Sequence, residues 1–368
     1  MDADKIRRLK LSGFTCFSHI AMDFSSGINV LIGENGVGKT HLIKVLYYAA
    51  SLKETVESPP INRINDPSLD LVFGIDDHQK LVRLKEGFKQ AVIDVSFGSD
   101  SGYAKDTTGM HLEIKFDNEI SPKGLKYGPL AGYAGKFNTD KKPLYIPVTE
   151  MLSWYEGFQS LYQKREISFD KTYYDLAVAL GLPKLKGGLL EEAQELADEI
   201  SQVIKADVFQ KDGKFYFRFH NTEDDSEASV VAQGINKLGQ LYYLILNGTL
   251  NKDTILFWDE PEAGLNPKYI RVLANILQTL ANAGVQIFIP THDYLLAHQL
   301  SLMAEYRDTA DAVVPDMKFF ALYQTNEQEG TVVESGSTLA DIQHNTILEE
   351  FSSFYDMEQG LFQQPVKQ

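Results

Sequence analysis

The stretch that most constrains this chain is residues 33–40, Gly33-Glu34-Asn35-Gly36-Val37-Gly38-Lys39-Thr40. It follows an apolar run, Ile28 to Ile32, and leads into a helix-like one, His41 to Leu46. Strand, glycine-rich loop, helix is the context in which a GxxxxGK[ST] pattern cradles phosphate. Gly33, Gly36 and Gly38 let the backbone curl so that successive N–H groups converge on phosphate oxygens. Lys39 is placed to reach the terminal phosphates and Thr40 to offer its hydroxyl to Mg²⁺, while the dipole of a helix opening near Lys39 favours an anion. Asn35 and His41 fall within the same nucleotide-binding stretch. The competing reading is a chance match, against which the strand before and the helix after both count.

A second element lies far downstream. Thr254-Ile255-Leu256-Phe257-Trp258 is a hydrophobic strand that stops on Asp259-Glu260. At the end of a buried strand, Asp259 is suited to orient a Mg²⁺ shell and Glu260 to polarise an attacking water. Taken alone, the same run also reads as a strand followed by an acidic turn. A third strand, Val285 to Pro290, ends in Thr291-His292-Asp293. Open α/β sheets place ligands at such strand ends, where a neutral imidazole can touch a γ-phosphate. The remaining histidines have no comparable setting and read as surface or packing residues.

At 368 residues, the chain has room for one large α/β domain with an insertion or for two smaller domains. With 43% hydrophobic residues, 21 Phe and 18 Tyr, it can build a substantial core. A formal charge of −16 argues against a surface basic all over, though not against a local basic strip. Cys16 is the only cysteine, which excludes an intrachain disulfide and fits a reducing compartment. The N-terminus lacks an apolar signal segment and no run approaches the 18 or so apolar residues of a span. The expectation is a soluble, cytoplasmic protein with no membrane partner.

Along the chain, residues 5–12 and 20–24 read as short strands before the glycine loop. Residues 54–67, with Pro59-Pro60 and Pro67, read as a solvated loop. Residues 91–97 and 111–116 read as an antiparallel hairpin, and the Lys-rich stretch 123–142 as a surface loop whose lysines could also meet phosphate. Residues 144–147 form a strand that delivers Val148-Thr149-Glu150 into a loop. Spacing predicts helices over 151–163, 173–180, 189–204 and 235–246, with a hairpin around Lys211-Asp212-Gly213. The predicted division is 1–50 with 143–150, an insertion over 51–142, a helical subdomain with hairpin over 151–220, a second core part over 221–310, and terminal strands and helix over 311–368.

The order of these motifs, with Val231-Ala232-Gln233-Gly234-Ile235 before the acidic strand and Gly264-Leu265-Asn266-Pro267 after it, resembles an ABC-type ATPase. More narrowly, the chain is similar to the RecF/SMC-like group and to stand-alone AAA-family ATPases of bacterial anti-phage defence. Gly13-Phe14-Thr15-Cys16-Phe17 looks like that group's N-terminal element. The resemblance covers residues 5–50 and about 145–300. It implies an α/β P-loop NTPase fold, an ABC-ATPase-like head with a mixed sheet, an antiparallel β insertion and a helical subdomain. It implies ATP and Mg²⁺ as cofactors and a head-to-tail homodimer in which Gly234 and Asn266 act on the partner's nucleotide. It also places Glu150 where the family's Gln meets Mg²⁺ and water. Three residues depart from the pattern: Ala232 for Ser, Thr15 for a basic residue, and Glu150 for Gln. Lys39, Asp259, Glu260 and His292 remain, so the expectation is an active, slow ATPase.

Two functions follow from the resemblance. In the first, an ATP-driven dimer switches a separate effector protein, a nuclease or toxin, in anti-phage defence. In the second, the dimer grips double-stranded DNA in repair or chromosome maintenance, with Arg7, Arg8, Lys10 and the 123–142 loop as candidate contacts; the charge of −16 weakens it. A transporter ATPase fits the altered signature and the long insertion poorly.

Overall fold

A computed structural model describes residues 5–56, 68–98, 110–117, 130–134, 141–309, 313–324 and 330–362. The first part carries β1 (Ile6–Phe14), β2 (Phe17–Asp23), β3 (Ile28–Gly33), α1 (Lys39–Val56), α2 (Leu69–Phe73), β4 (Gln90–Phe97), β5 (Met110–Asp117), β6 (Leu130–Ala134) and β7 (Lys142–Ile146). There follow α3 (Phe158–Gln163), α4 (Lys171–Leu180), α5 (Gly188–Ile204), β8 (Ala206–Lys211), β9 (Lys214–Phe219) and β10 (Asp225–Glu227). The last part holds α6 (Gln233–Leu246), β11 (Thr254–Trp258), α7 (Ile270–Asn282), β12 (Gln286–Pro290), α8 (Tyr294–Glu305), β13 (Met317–Gln324), β14 (Thr331–Gly336) and α9 (Thr346–Phe362).

A six-stranded sheet in the order β14-β13-β3-β12-β11-β7 forms the centre. Its strands run parallel from β13 to β7, and β14 closes one edge antiparallel to β13. Parallel strands covered on both faces favour apolar residues along their whole length, which is why β3, β11 and β12 read as near-continuous hydrophobic runs, with buried Asn29 and Gln286 satisfied by hydrogen bonds. Along β3 and β11, Val30, Ile32, Leu256 and Trp258 enter one core with the inward residues of α6, α7 and α8. Leu31, Ile255 and Phe257 enter the other, with α1, β1, β4 and β5. Each large aliphatic or aromatic side chain so buried contributes about 1.5–3 kcal/mol.

The second face of the central sheet is covered by α1 and a five-stranded antiparallel sheet, β2-β1-β4-β5-β6. The hairpin expected at 91–97 and 111–116 is present as β4 and β5, in register from Gln90↔Asp117 to Phe97↔Met110. β4 also pairs with β1, so these strands extend the N-terminal sheet. A three-stranded sheet, β10-β9-β8, packs with α5 and α6.

Three expectations need correction. Residues 130–134 are a strand paired with β5 rather than loop, and β7 begins at Lys142; most of the remaining 123–140 stretch lies outside the described residues. Helix α1 runs on to Val56, and 57–67 lie outside them too. Residues 151–157 are turns, with helix only from Phe158 after Gly157 at a left-handed φ of 72°. The Met151 N–H donates to Gln240 Oε1 at 2.8 Å and the Ser153 N–H to Glu150 Oε2 at 3.2 Å. Met151 and Leu152 are buried within these turns, and left-handed Gly157 separates them from α3.

Candidate active site at the edge of the parallel sheet

The loop between β3 and α1 has the shape its glycines anticipate. Gly33, Gly36 and Gly38 take φ values of 145°, 84° and 98°. A Cβ on Gly33 would stand 2.2 Å from the Leu322 carbonyl oxygen, and one on Gly38 2.4 Å from Cys16 Sγ. At Gly36, by contrast, a Cβ would meet nothing within 4 Å, so this residue faces open space at the loop tip beside exposed Asn35. Lys39 is buried, and its Nζ donates to the carbonyls of Gly33 at 2.7 Å and Glu34 at 2.8 Å. Burial lowers its pKa to about 8, while Glu260 and Asp259 pull it upward.

The ends of the neighbouring strands converge on this loop. Thr40 Oγ1 donates to Asp259 Oδ1 at 3.3 Å, and Tyr145 Oη donates to Asp259 Oδ2 at 3.1 Å. Burial raises the Asp259 carboxyl to about 6 against the hydrogen bond from Tyr145, with Glu260 adding to the rise and the Thr40 bond opposing it. Thr40 and Asp259 form a hard oxygen pair of the kind that suits Mg²⁺, which the loop's convergent N–H groups complement for phosphate.

Glu260 sits at φ 44°, a left-handed conformation rare for a residue with a Cβ and costing about 1–3 kcal/mol. Its carboxylate Oε1 is 3.2 Å from His292 Nε2, and His292 Nδ1 is 3.4 Å from Lys39 Nζ. An ammonium can only donate, so Nδ1 accepts and the ring proton sits on Nε2, pointing at Glu260. Burial and Lys39 lower the His292 pKa, which keeps the ring neutral at neutral pH, with Glu260 opposing. Glu262 ties the two loops together by accepting from Thr291 Oγ1 at 2.7 Å and from the His292 N–H at 3.2 Å. Burial raises its carboxyl above the usual range.

The other candidates stand further out. Gly234 opens α6 and packs so closely on the 264–265 turn that a Cβ would lie 2.7 Å from the Gly264 oxygen. Ala232 occupies the N-cap of α6 without a side-chain bond, where Ser would cap. Asn266 Oδ1 accepts from the Lys268 N–H at 3.1 Å and shapes the adjoining turn. The His41 ring packs edge-on against Phe73, 5.4 Å between centroids. It lines a cleft with Thr15, Lys80 and Arg83, which brings basic groups beside the position where the resemblance expects one.

Glu150 is placed differently from its expected role as a metal ligand. Its buried carboxylate accepts from Ser153 Oγ and N–H and from Asn236 Nδ2 at 3.4 Å. Among the described residues its hydrogen bonds therefore run to the turn that follows it and to α6, not to the Thr40–Asp259 pair. In this geometry it anchors α6, and joining a metal shell would require it to leave Ser153 and Asn236.

Sequence reading passes over Tyr145, Glu262 and Lys237. Lys237 is the single charged residue in α6, 1% exposed, with Nζ donating to the Glu260 carbonyl at 3.0 Å. A lone lysine inside an otherwise uncharged helix is the signal that was available; the other two carry none.

This parallel sheet, its phosphate loop, and the acidic and histidine-bearing strand ends beside it give the chain the fold of an ABC-type P-loop ATPase head, in keeping with its resemblance to the RecF/SMC-like group. The chain belongs to the family described as "AAA domain, putative AbiEii toxin, Type IV TA system", whose model matches residues 28–297. It is 29% identical over 121 residues to the DNA replication and repair protein RecF of Bifidobacterium adolescentis, a match spanning 31% of this chain and 29% of that one. It is 19% identical over 365 residues to an ATP/GTP phosphatase of Helicobacter pylori, covering 88% of this chain and 93% of the relative. Among solved structures, an Smc head bound to the C-terminal winged-helix domain of ScpA aligns with a TM-score of 0.55 at 12% identity, over 90% of this chain and 97% of that one. An Smc head with an extended coiled coil, bound to the C-terminal domain of ScpA derived from Pyrococcus furiosus, gives 0.54 at 12%, over 94% and 99%. No helix among the described residues is long and apolar enough to cross a membrane.

Proposed function

We propose that this chain binds ATP with Mg²⁺, hydrolyses it to ADP and phosphate, and closes head-to-tail on a second copy around the nucleotide. This closure acts in the cytoplasm as a switch for a separate effector, a nuclease or toxin, in bacterial anti-phage defence. The observation that carries the reading is the convergence, past the C-terminal ends of the central strands β3, β12 and β11, of Lys39, the Thr40–Asp259 pair and the Glu260–His292 pair. Lys39 and the loop N–H groups hold the phosphates, and Thr40 and Asp259 hold the metal, which supplies charge neutralisation. Glu260 orients water and takes its proton on the carboxylate, while the neutral His292 ring contacts the terminal phosphate by turning its single N–H, on Nε2, from Glu260 to a phosphate oxygen. Gly234 and Asn266 serve the partner's nucleotide. The effector role rests on the toxin–antitoxin description of the family.

The test is phosphate release by the wild type together with solution mass of Glu260→Gln. ATP hydrolysis by the wild type and an ATP-dependent doubling of mass in the variant are expected. Full turnover by Glu260→Gln would overturn the assignment of the base, and a mass unchanged by ATP would overturn the dimer.

A second reading, a DNA-gripping repair ATPase, draws on the RecF similarity and on Arg7, Arg8 and Lys10 along β1, where Lys10 is exposed. Arg8 is partly engaged by Asp23 at 3.5 Å. Duplex DNA that raises the ATPase rate, with an effect lost steeply in salt, would favour it.

A further inference from the structure

We propose that Lys237 is a positioning residue, an internal strut from the first turn of α6 that holds Glu260 in its working orientation. The proposal rests on the reading of Glu260 as the group that activates water.

Glu260 is held in left-handed backbone from both sides. Its N–H donates to the Pro290 carbonyl at 3.2 Å, and its own carbonyl accepts the Ala263 N–H at 3.0 Å. The Lys237 ammonium is a further donor to that carbonyl, also at 3.0 Å, and comes from a different element. Backbone torsion at this residue decides where its carboxylate points, so a charge-assisted bond on the carbonyl restrains the side chain through the main chain. The base of the strut is firm. Asn236 Nδ2 donates to the Ala228 carbonyl at 2.9 Å and to Ser153 Oγ at 3.0 Å, which pins the start of α6 to the segment before it and to the turns after β7. Gly234, in the same stretch, is pressed against the 264–265 turn.

An ammonium this deeply buried is unfavourable unless its charge is compensated. Burial pulls the Lys237 pKa down to about 8, and Glu262, Glu260, Asp259 and Glu150 act against that pull. A methionine would fill the same space without desolvating a charge. What the amine adds is its hold on the Glu260 carbonyl and its place among these carboxylates. Since α6 also begins with Gly234, the strut links the surface assigned to the partner's nucleotide with the base assigned to this chain's own.

The experiment compares Lys237→Met and Lys237→Arg in the full chain, measuring ATP affinity, KM, kcat and melting temperature, and repeats Lys237→Met in a Glu260→Gln background. Positioning through Glu260 predicts that Lys237→Met lowers kcat about 10- to 100-fold with ATP affinity and KM within about threefold. Arg, which keeps the donor and the charge, should recover part of the loss. In the Glu260→Gln background the same substitution should cost less than about threefold, because the group it positions is already disabled. Wild-type kcat in Lys237→Met, or a full independent loss in the double variant, would overturn the proposal. So would parallel falls in affinity, kcat and melting temperature. Should Lys237→Met not fold, Lys237→Gln decides by the same split. A wild-type chain that binds ATP without hydrolysing it would instead remove the reading of Glu260 on which this role depends.

Discussion

Lys39 illustrates how burial and function pull in opposite directions. Its ammonium sits where hydration is lost, and its pKa falls to about 8 despite Glu260 and Asp259 nearby. Phosphate binds the charged form, so proton loss in the free protein should weaken ATP binding as pH rises past about 8, by up to about tenfold per pH unit. Lys39→Arg should lack that decline because guanidinium stays charged. Titration with a fluorescent ATP analogue at pH 7, 8 and 9 checks both. Lys39→Ala should lose about 10²-fold or more in affinity, since charge-assisted hydrogen bonds contribute about 1.5–3 kcal/mol each. Tyr145 makes a subtler prediction. Its hydroxyl satisfies one oxygen of a buried carboxylate, so Tyr145→Phe should leave Asp259 harder to ionise and raise the Mg²⁺ concentration for half-maximal turnover several-fold. A metal titration unchanged from wild type would show that Tyr145 has no bearing on Asp259.

Helix α6 joins the chemistry to the core. A Cβ added to Gly239 would lie 2.5 Å from the ring of Phe217, which is fully buried on β9. Alanine would gain about 1 kcal/mol of helix propensity over glycine, but overpacking costs about 1–3 kcal/mol. Phe217 has no room to retreat, so the clash should win and Gly239→Ala should lower the urea midpoint. A raised midpoint would mean that the α6–β9 contact yields. The element-level reading succeeded where one face or both faces of an element decide its pattern, as in β3, β11, β12 and α5. It failed at 151–157, where apolar residues at helical spacing form turns that end on left-handed Gly157, and where the Met151 N–H meets distant Gln240, a contact no periodicity reveals.

For the assembled molecule the proposal of a head-to-tail dimer has a sharp consequence. Lys39→Ala disables a subunit's own loop, and Asn266→Asp, which keeps an acceptor for the Lys268 N–H, sets a carboxylate against the partner's phosphates. Each variant alone should be inactive. Mixed in equal amounts, they should recover about a quarter of wild-type ATPase activity, because about half of the dimers are mixed and each has one intact composite site. No recovery would argue that each chain completes its own site.

The nucleotide loop, the acidic strand end and the histidine strand end were legible in the linear chain because each is a local pattern: glycines that permit a curl, and apolar runs that stop on charged groups. The doubly covered parallel sheet was legible for a related reason, since burial on both faces leaves no polar alternation. Contacts between distant segments were settled only by folding. β4 joined β1, Glu150 turned to Asn236 and Ser153, and Lys237 met the Glu260 carbonyl. Local patterns encode how a segment curls or which face it hides, whereas the partner of a buried charge depends on which elements the tertiary fold brings within about 3 Å of it.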